Sequence, residues 1–396
     1  MPTGSLLADG FTEKIAKAFE DDLVGLSFRY RYEFVDEDDF AKDANASTLR
    51  TRLSIAPRLT NWAFMVEVDN VSFIGSDRFD STRNGVTDRP LVADPKGTDL
   101  NQAFIKYTGF EDTEIILGRQ RINRINQRFI GGVGWRQNEQ TFDSISIAHS
   151  FSDRFDAYYS HIAEVQRVFG PDSGAPAAEL DSNINLIDAS YNFGSKAKLF
   201  GYAYLMDFDD ADALSNISVG ARLTGTFELQ ESLGLSYAGE FAYQEDYGDN
   251  PVAYNANYYL LEASLDWTAF ILKAGYEVLE GGDAPGTAFR TPLATLHIFQ
   301  GRADEFVVPG TFGTPADGVR DLYLTATVNA LKGKFALAYH DFSSDINGSA
   351  LGTELDFAAS WSFADHYSVL LSYATYDADT FSFDSRKAWV MLTAAF

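Results

Sequence analysis

Cysteine is absent from the 396 residues, which excludes a disulfide framework, a thiolate metal site and cysteine nucleophile chemistry. Long apolar runs are absent as well: no segment reaches the roughly eighteen apolar residues of a transmembrane helix, although 45% of the residues are hydrophobic. Basic charge is scarce. The 31 Lys and Arg against 57 Asp and Glu leave a net charge of -26, and a phosphate backbone would be repelled, which argues against a nucleic-acid partner. Histidine is sparse and scattered, at His149, His161, His297, His340 and His366, with no HExxH pair and no GxSxG elbow. The adjacent His340 and Asp341 would point to opposite faces of a strand, so no catalytic triad is expected and the chain reads as a non-enzyme. The first residues, MPTGSLLADG, show no basic region followed by an apolar one. The start therefore reads as that of a mature or recombinant chain.

What the chain has in quantity is aromatic residues, 32 Phe and 20 Tyr, which favour strands and membrane interfaces. From residue 24 they fall at period two. Val24, Leu26, Phe28, Tyr30, Tyr32 and Phe34 share one face, with Ser27, Arg29, Arg31 and Glu33 on the other. Leu49, Leu53 and Ile55 oppose Arg50, Arg52 and Ser54; Trp62, Phe64, Val66 and Val68 oppose Glu67 and Asp69. Further on, Ile217, Val219, Ala221 and Leu223 alternate with Asn216, Ser218, Arg222 and Thr224; Phe241 and Tyr243 with Glu240 and Gln244; and Leu355, Phe357 and Trp361 with Glu354, Asp356 and Ser360.

Such alternation fits a soluble sandwich or a membrane barrel, and loop length separates the two. Short links fall near 57–61, 109–112, 151–154, 192–196, 227–231, 268–269, 330–333 and 363–365, and long acidic or Gly/Pro-rich ones at 72–98, 121–140, 165–181, 208–213 and 279–318. Alternating short turns and long loops are the mark of an outer-membrane barrel, here of about eighteen antiparallel strands in up-and-down order. Its charged face must be the lumen, since Lys or Arg in mid-lipid costs roughly 2–4 kcal/mol. Residues 24–396 read as this all-β transmembrane domain. Residues 1–23 read as a periplasmic N-terminal segment, a frayed tail or one or two helical turns carrying Phe11, Ile15 and Phe19. Even parity puts both ends on the periplasmic side. Integral placement in a Gram-negative outer membrane follows, with lipid and lipopolysaccharide as neighbours and a monomer expected. The final Phe396, on the apolar face, is similar to the signal read by the barrel assembly machinery.

The densest cluster of cations is GRQRINRINQRFIGGVGWRQNEQTFD, 118–143, with Arg119, Arg121, Arg124, Arg128 and Arg136 around Gly131, Gly132 and Gly134. Its glycines and arginines suit a loop folded into the lumen, and guanidiniums suit carboxylates. This stretch resembles the alginate-export family of outer-membrane porins, as do LNQAFIKY (100–107) and TPLATLHIFQGRADEF (291–306). The resemblance implies an eighteen-stranded barrel with an electropositive constriction that passes a polyuronate. By it, Arg119, Arg136 and Arg302 belong to the lumen or its gates, Arg302 standing where the family motif carries an aromatic.

The expected solute path is Arg29, Arg31, Arg50, Arg52, Arg119, Arg121, Arg124, Arg128, Arg136, Arg222 and Arg302, with Glu33, Glu67, Asp69 and Glu240 as counter-charges that either neutralise the arginines or limit dwell time. A turn at 58–60 would set Arg50 beside Glu67. The expected function is a passive channel for alginate or a related anionic saccharide, anion-selective despite the net charge, serving export or uptake. The alternatives are a general or differently selective porin and, in another class, a barrel enzyme on lipid or glycan. No cofactor or metal is expected. The acidic tracts 36–39, 207–212 and 244–250 are candidate calcium ligands without the spacing of an EF-hand, or plain solvated loops.

Overall fold

The computed structural model describes residues 23–307 and 313–396. The expected N-terminal face of Phe11, Ile15 and Phe19 lies outside the described residues. Nineteen strand segments form one antiparallel sheet, and the two-residue Arg58–Leu59 only extends a hairpin, leaving eighteen. The sheet closes because Val24–Glu37 pairs with Ala44–Ile55 on one side and with the last strand, Ser385–Ala395, on the other. Closure satisfies every edge, as crossing a bilayer requires. No helix among the described residues is long and apolar enough to cross a membrane.

The period-two pattern becomes two environments. On the strand Asn255–Trp267, Leu260 is 3% exposed inside the barrel while its neighbour Leu261 is 67% exposed outside. Trp62, Val66, Leu117, Leu324 and Leu355 join Leu261 on the outer surface. In water each such side chain would forfeit roughly 1.5–3 kcal/mol of burial; in lipid it does not. The expected arginine-bearing face points inward, with Arg29, Arg31 and Glu33 buried between the outward Tyr30, Tyr32 and Phe34.

Three expectations are adjusted. The strand Trp62–Arg78 runs beyond residue 72, so the following loop is 79–96. The strand Asn216–Gln230 likewise absorbs most of the expected link at 227–231. The first inner hairpin turns on Thr60 and Asn61, with Arg58 opposite Ala63, Leu59 opposite Trp62 and Thr60 in the left-handed region at φ 38°. That centre places Glu67 opposite Ser54 and Arg52 opposite Asp69, not Arg50 beside Glu67.

The lumen is not uniformly hollow. On Asn216–Gln230, Ser218 near the long-loop end is fully buried, whereas the lumen-facing Thr226 near the short-turn end is exposed. The long-loop half is filled by loops that turn inward.

Candidate constriction and solute path

Two loops, 121–140 and 280–318, build the filling. They join as a short ladder: Ile130 bridges Leu293, Gly131 donates to the Leu293 carbonyl at 2.9 Å, and Thr295 donates to the Gln127 carbonyl at 3.1 Å. The Gln140 side chain donates to the carbonyls of both Gly131 and Leu293. Glycine is required at 131 because a Cβ there would collide with the Thr295 hydroxyl. Beneath the ladder Ile122, Phe129, Ile130, Phe289 and Leu293 pack on Tyr202, Tyr204 and Tyr258 of the wall. Loop 121–140 also holds two β-branched residues at positive φ, Ile125 (52°) and Val133 (48°). Such backbone costs about 1–3 kcal/mol per residue and persists only where the surroundings over-determine it.

The loop folds into the lumen, and its arginines meet acids. Arg121 bonds Glu139 and, at 3.2 Å, Glu67. Arg124 makes a two-pronged pair with Asp188 at 2.8 and 2.6 Å and lies over Tyr158. Arg128 is sealed against Glu277, Arg136 bridges Glu33 and Asp304 at 3.4 Å each, and Arg119 grips Asp143 on the next strand. From the wall, Arg50 reaches Glu139 at 3.2 Å and Arg52 holds Asp69 at 2.6 Å. Arg31 pairs with Glu33 at 2.6 Å beneath the Trp135 ring, and Arg222 pairs with Glu240 at 2.6 Å. Arg29 donates instead to Gln137 and to the carbonyls of Gly134 and Arg136. Arg302 has no carboxylate within salt-bridge reach among the described residues; its backbone N–H donates to Glu354.

The four expected counter-charges, Glu33, Glu67, Asp69 and Glu240, all enter these pairs. Burial would raise the Glu139 carboxyl, but Arg52, Arg121 and Arg50 override it and hold it at about 2. Asp304 is likewise pulled down to about 2, against its burial, chiefly by His297 and Arg136. Burial outweighs Asp304 at His297 and lowers that imidazole.

Three cavities run past this assembly. The outer one, about 720 Å³, is walled by Phe40, Trp135, Phe169, Phe381 and Phe383, with Arg136, Arg167 and Lys387 facing Glu33, Glu37 and Asp304. The middle one, about 370 Å³, is bordered by Arg222, Lys273, Arg302, Glu262, Asp321 and His340. His297 borders both. The inner one, about 460 Å³, shares Arg222, Glu262 and Lys273 with the middle cavity and opens at the short turn of Asn192, Gly194 and Ser195. Of the expected path residues, Arg136, Arg222 and Arg302 line these cavities; the other eight line none of the three.

Reading the sequence alone missed Trp135, His297 and Asp304, and also the wall pair His340 and Asp321, which bond at 2.9 Å. Asp341 points away, as strand alternation requires. Period two on the lumen face was the available signal for His340, but its partner sits on the neighbouring strand. Among the described residues no three His, Asp or Glu side chains gather as an ion site, so the acidic tracts do not converge into one.

The alginate-export family model matches residues 22–168. Over that stretch the chain is similar to the alginate-export family. No curated protein matches the sequence. Among solved structures, the barrel is similar to Acinetobacter baumannii OccAB4, at 15% identity and TM-score 0.72, covering 94% of this chain and 98% of that one. Pseudomonas aeruginosa OccK9 (OpdG) matches at 14% and 0.73, covering 94% and 97%. P. aeruginosa OpdK with vanillate matches at 13% and 0.68, covering 94% and 98%. The likeness shows a shared fold, the closed antiparallel barrel.

Proposed function

We propose that this barrel is a selective outer-membrane channel for small carboxylate-bearing solutes. The observation that carries the reading is the chain of three cavities joined by shared residues, each with cations on its wall: Arg136 and Lys387, then Arg302, then Lys198, Arg222 and Lys273. The middle cavity, at about 370 Å³, sits at the low end of the roughly 300–1,000 Å³ that encloses a small organic ligand. Aromatic walls in the outer cavity add a stacking surface for a flat ring. The likeness to OpdK with vanillate, an aromatic carboxylate, points the same way by analogy.

The polyuronate reading retains the family match over 22–168 as support. A long anionic chain needs a continuous row of free guanidiniums, however, and most of the lumenal arginines are occupied in holding loop 121–140 to the wall. We therefore favour the differently selective porin over a polysaccharide exporter. Planar-bilayer recordings test the choice. An anion-directed reversal potential under a KCl gradient, with block by a monomeric aromatic carboxylate and none by oligouronates, is expected. Block by oligouronates at lower concentration than by the monomer would return the assignment to the polyuronate path, and cation preference would remove both.

A further inference from the structure

We propose that His297 is the specificity-determining residue of the permeation path: its ring is the partition between the outer and middle cavities, and its charge sets which sign of solute passes. The inference rests on the channel reading above but not on the carboxylate assignment.

His297 borders both cavities. Its ring lies flat on Trp135, with centroids 3.9 Å apart and planes 10° apart, and the Trp389 ring stands edge-on at 5.9 Å. Asp304 takes Nδ1 at 2.9 and 3.0 Å. A carboxylate there places the neutral ring's proton on Nδ1 and leaves Nε2 a bare acceptor. That Nε2 is buried and without a hydrogen-bond partner among the described residues. Gln300 (φ 55°) and Asp304 (φ 59°) fix the segment around it in the left-handed region, so the ring's place is imposed by the loop.

The charged groups facing the imidazole are Asp304 and Arg302 from its own loop, Arg136 from loop 121–140 and Asp356 from the wall strand Ala350–Phe363. Lys387 of the last strand acts on Asp304 from the side. With the ring neutral, two guanidiniums meet two carboxylates. Protonation adds a further positive charge and turns Nε2 from acceptor to donor on the ring that borders both cavities. Burial keeps the ring neutral until the solution turns acidic, so the switch lies on the acid side of the ordinary imidazole range.

The test uses the full chain in planar bilayers with KCl alone, so that no assumption about the organic solute enters. Reversal potential and single-channel conductance are read from about pH 7 to about pH 5, the window in which imidazoles titrate. The unmodified barrel should become more anion-selective as pH falls. His297→Phe should keep the stack on Trp135 and the heat-modifiable fold while losing the pH dependence. His297→Ala should join the two cavities and raise conductance at every pH. PH-dependent selectivity persisting in His297→Phe, or conductance unchanged in His297→Ala with the barrel still heat-modifiable, overturns the assignment. An unmodified barrel that passes no ions overturns this inference and the channel reading together, whereas KCl conduction without carboxylate block removes only the latter's substrate class.

Discussion

Arg128 and Glu277, 149 residues apart in sequence, meet at 2.8 Å with both side chains closed off from water. The Tyr258 hydroxyl donates to the same carboxylate at 2.8 Å, so a loop arginine is fastened to the barrel wall at a fully desolvated point. Removing one partner of a buried pair costs about 3–5 kcal/mol, because the survivor stays charged and unpaired. Arg128→Ala should therefore release loop 121–140 while the strand ladder still forms. The expected readout is a heat-modifiable barrel with larger, noisier conductance and new protease sites within the loop. Pairing the change with Glu277→Gln should recover part of the lost order.

Arg52 and Arg302 should separate structural from permeation roles. Arg52 is held by Asp69 at 2.6 Å and Glu139 at 3.1 Å, so Arg52→Ala should lower the unfolding temperature. Arg302 has no acid partner among the described residues and lines the middle cavity. Arg302→Ala should leave the unfolding temperature unchanged and reduce anion preference. Equal thermal losses in both variants, measured by heat-modifiability on gels, would contradict the distinction.

Acid should loosen loop 121–140 in a defined window. Glu139 has a folded-state value of about 2 against an ordinary 4.5. A depressed carboxyl stabilises the folded state above its unfolded value, and that contribution is lost as pH falls toward the folded value. Loop docking should thus be intact at pH 5 and weaken progressively between pH about 4.5 and about 2. Protease sensitivity of the loop across this range provides the check, and Glu139→Gln should flatten the profile.

Topology can be read with single cysteines, since the chain has none of its own. Val86→Cys in loop 79–96 should react with an impermeant maleimide on intact cells. Glu231→Cys, in a short turn, should react only after the outer membrane is opened. The reverse pattern would invert the barrel.

The strand faces were legible because lipid enforces period two with no tolerance: Leu260 and Leu261 cannot exchange places. Register was not. The left-handed Thr60 and the bulge between Ala46 and Thr48 shift pairings in ways that side-chain periodicity does not encode. Loop 121–140 announced its inward fold through glycines and arginines, whereas loop 280–318 announced little. His297 acquires its meaning from Trp135 and Trp389, which arrive from another loop and from the last strand. Arginine-rich composition likewise signalled charge in the lumen without saying that Asp188, Glu139 and Glu277 would claim it.

Among the described residues, the packed loops occupy one end of the barrel and leave the other unfilled, and that asymmetry is mechanical as well as geometric. A tube stoppered at one end resists ovalisation there, because close-packed side chains are nearly incompressible. Among the described residues, the short-turn end has only its strand ladder to keep it round. Thickness mismatch or lateral pressure in a bilayer should therefore be absorbed at the short-turn rim, where Leu26 and Phe396 exchange backbone bonds to close the first strand on the last. The constriction should keep its dimensions while the mouth beneath it deforms.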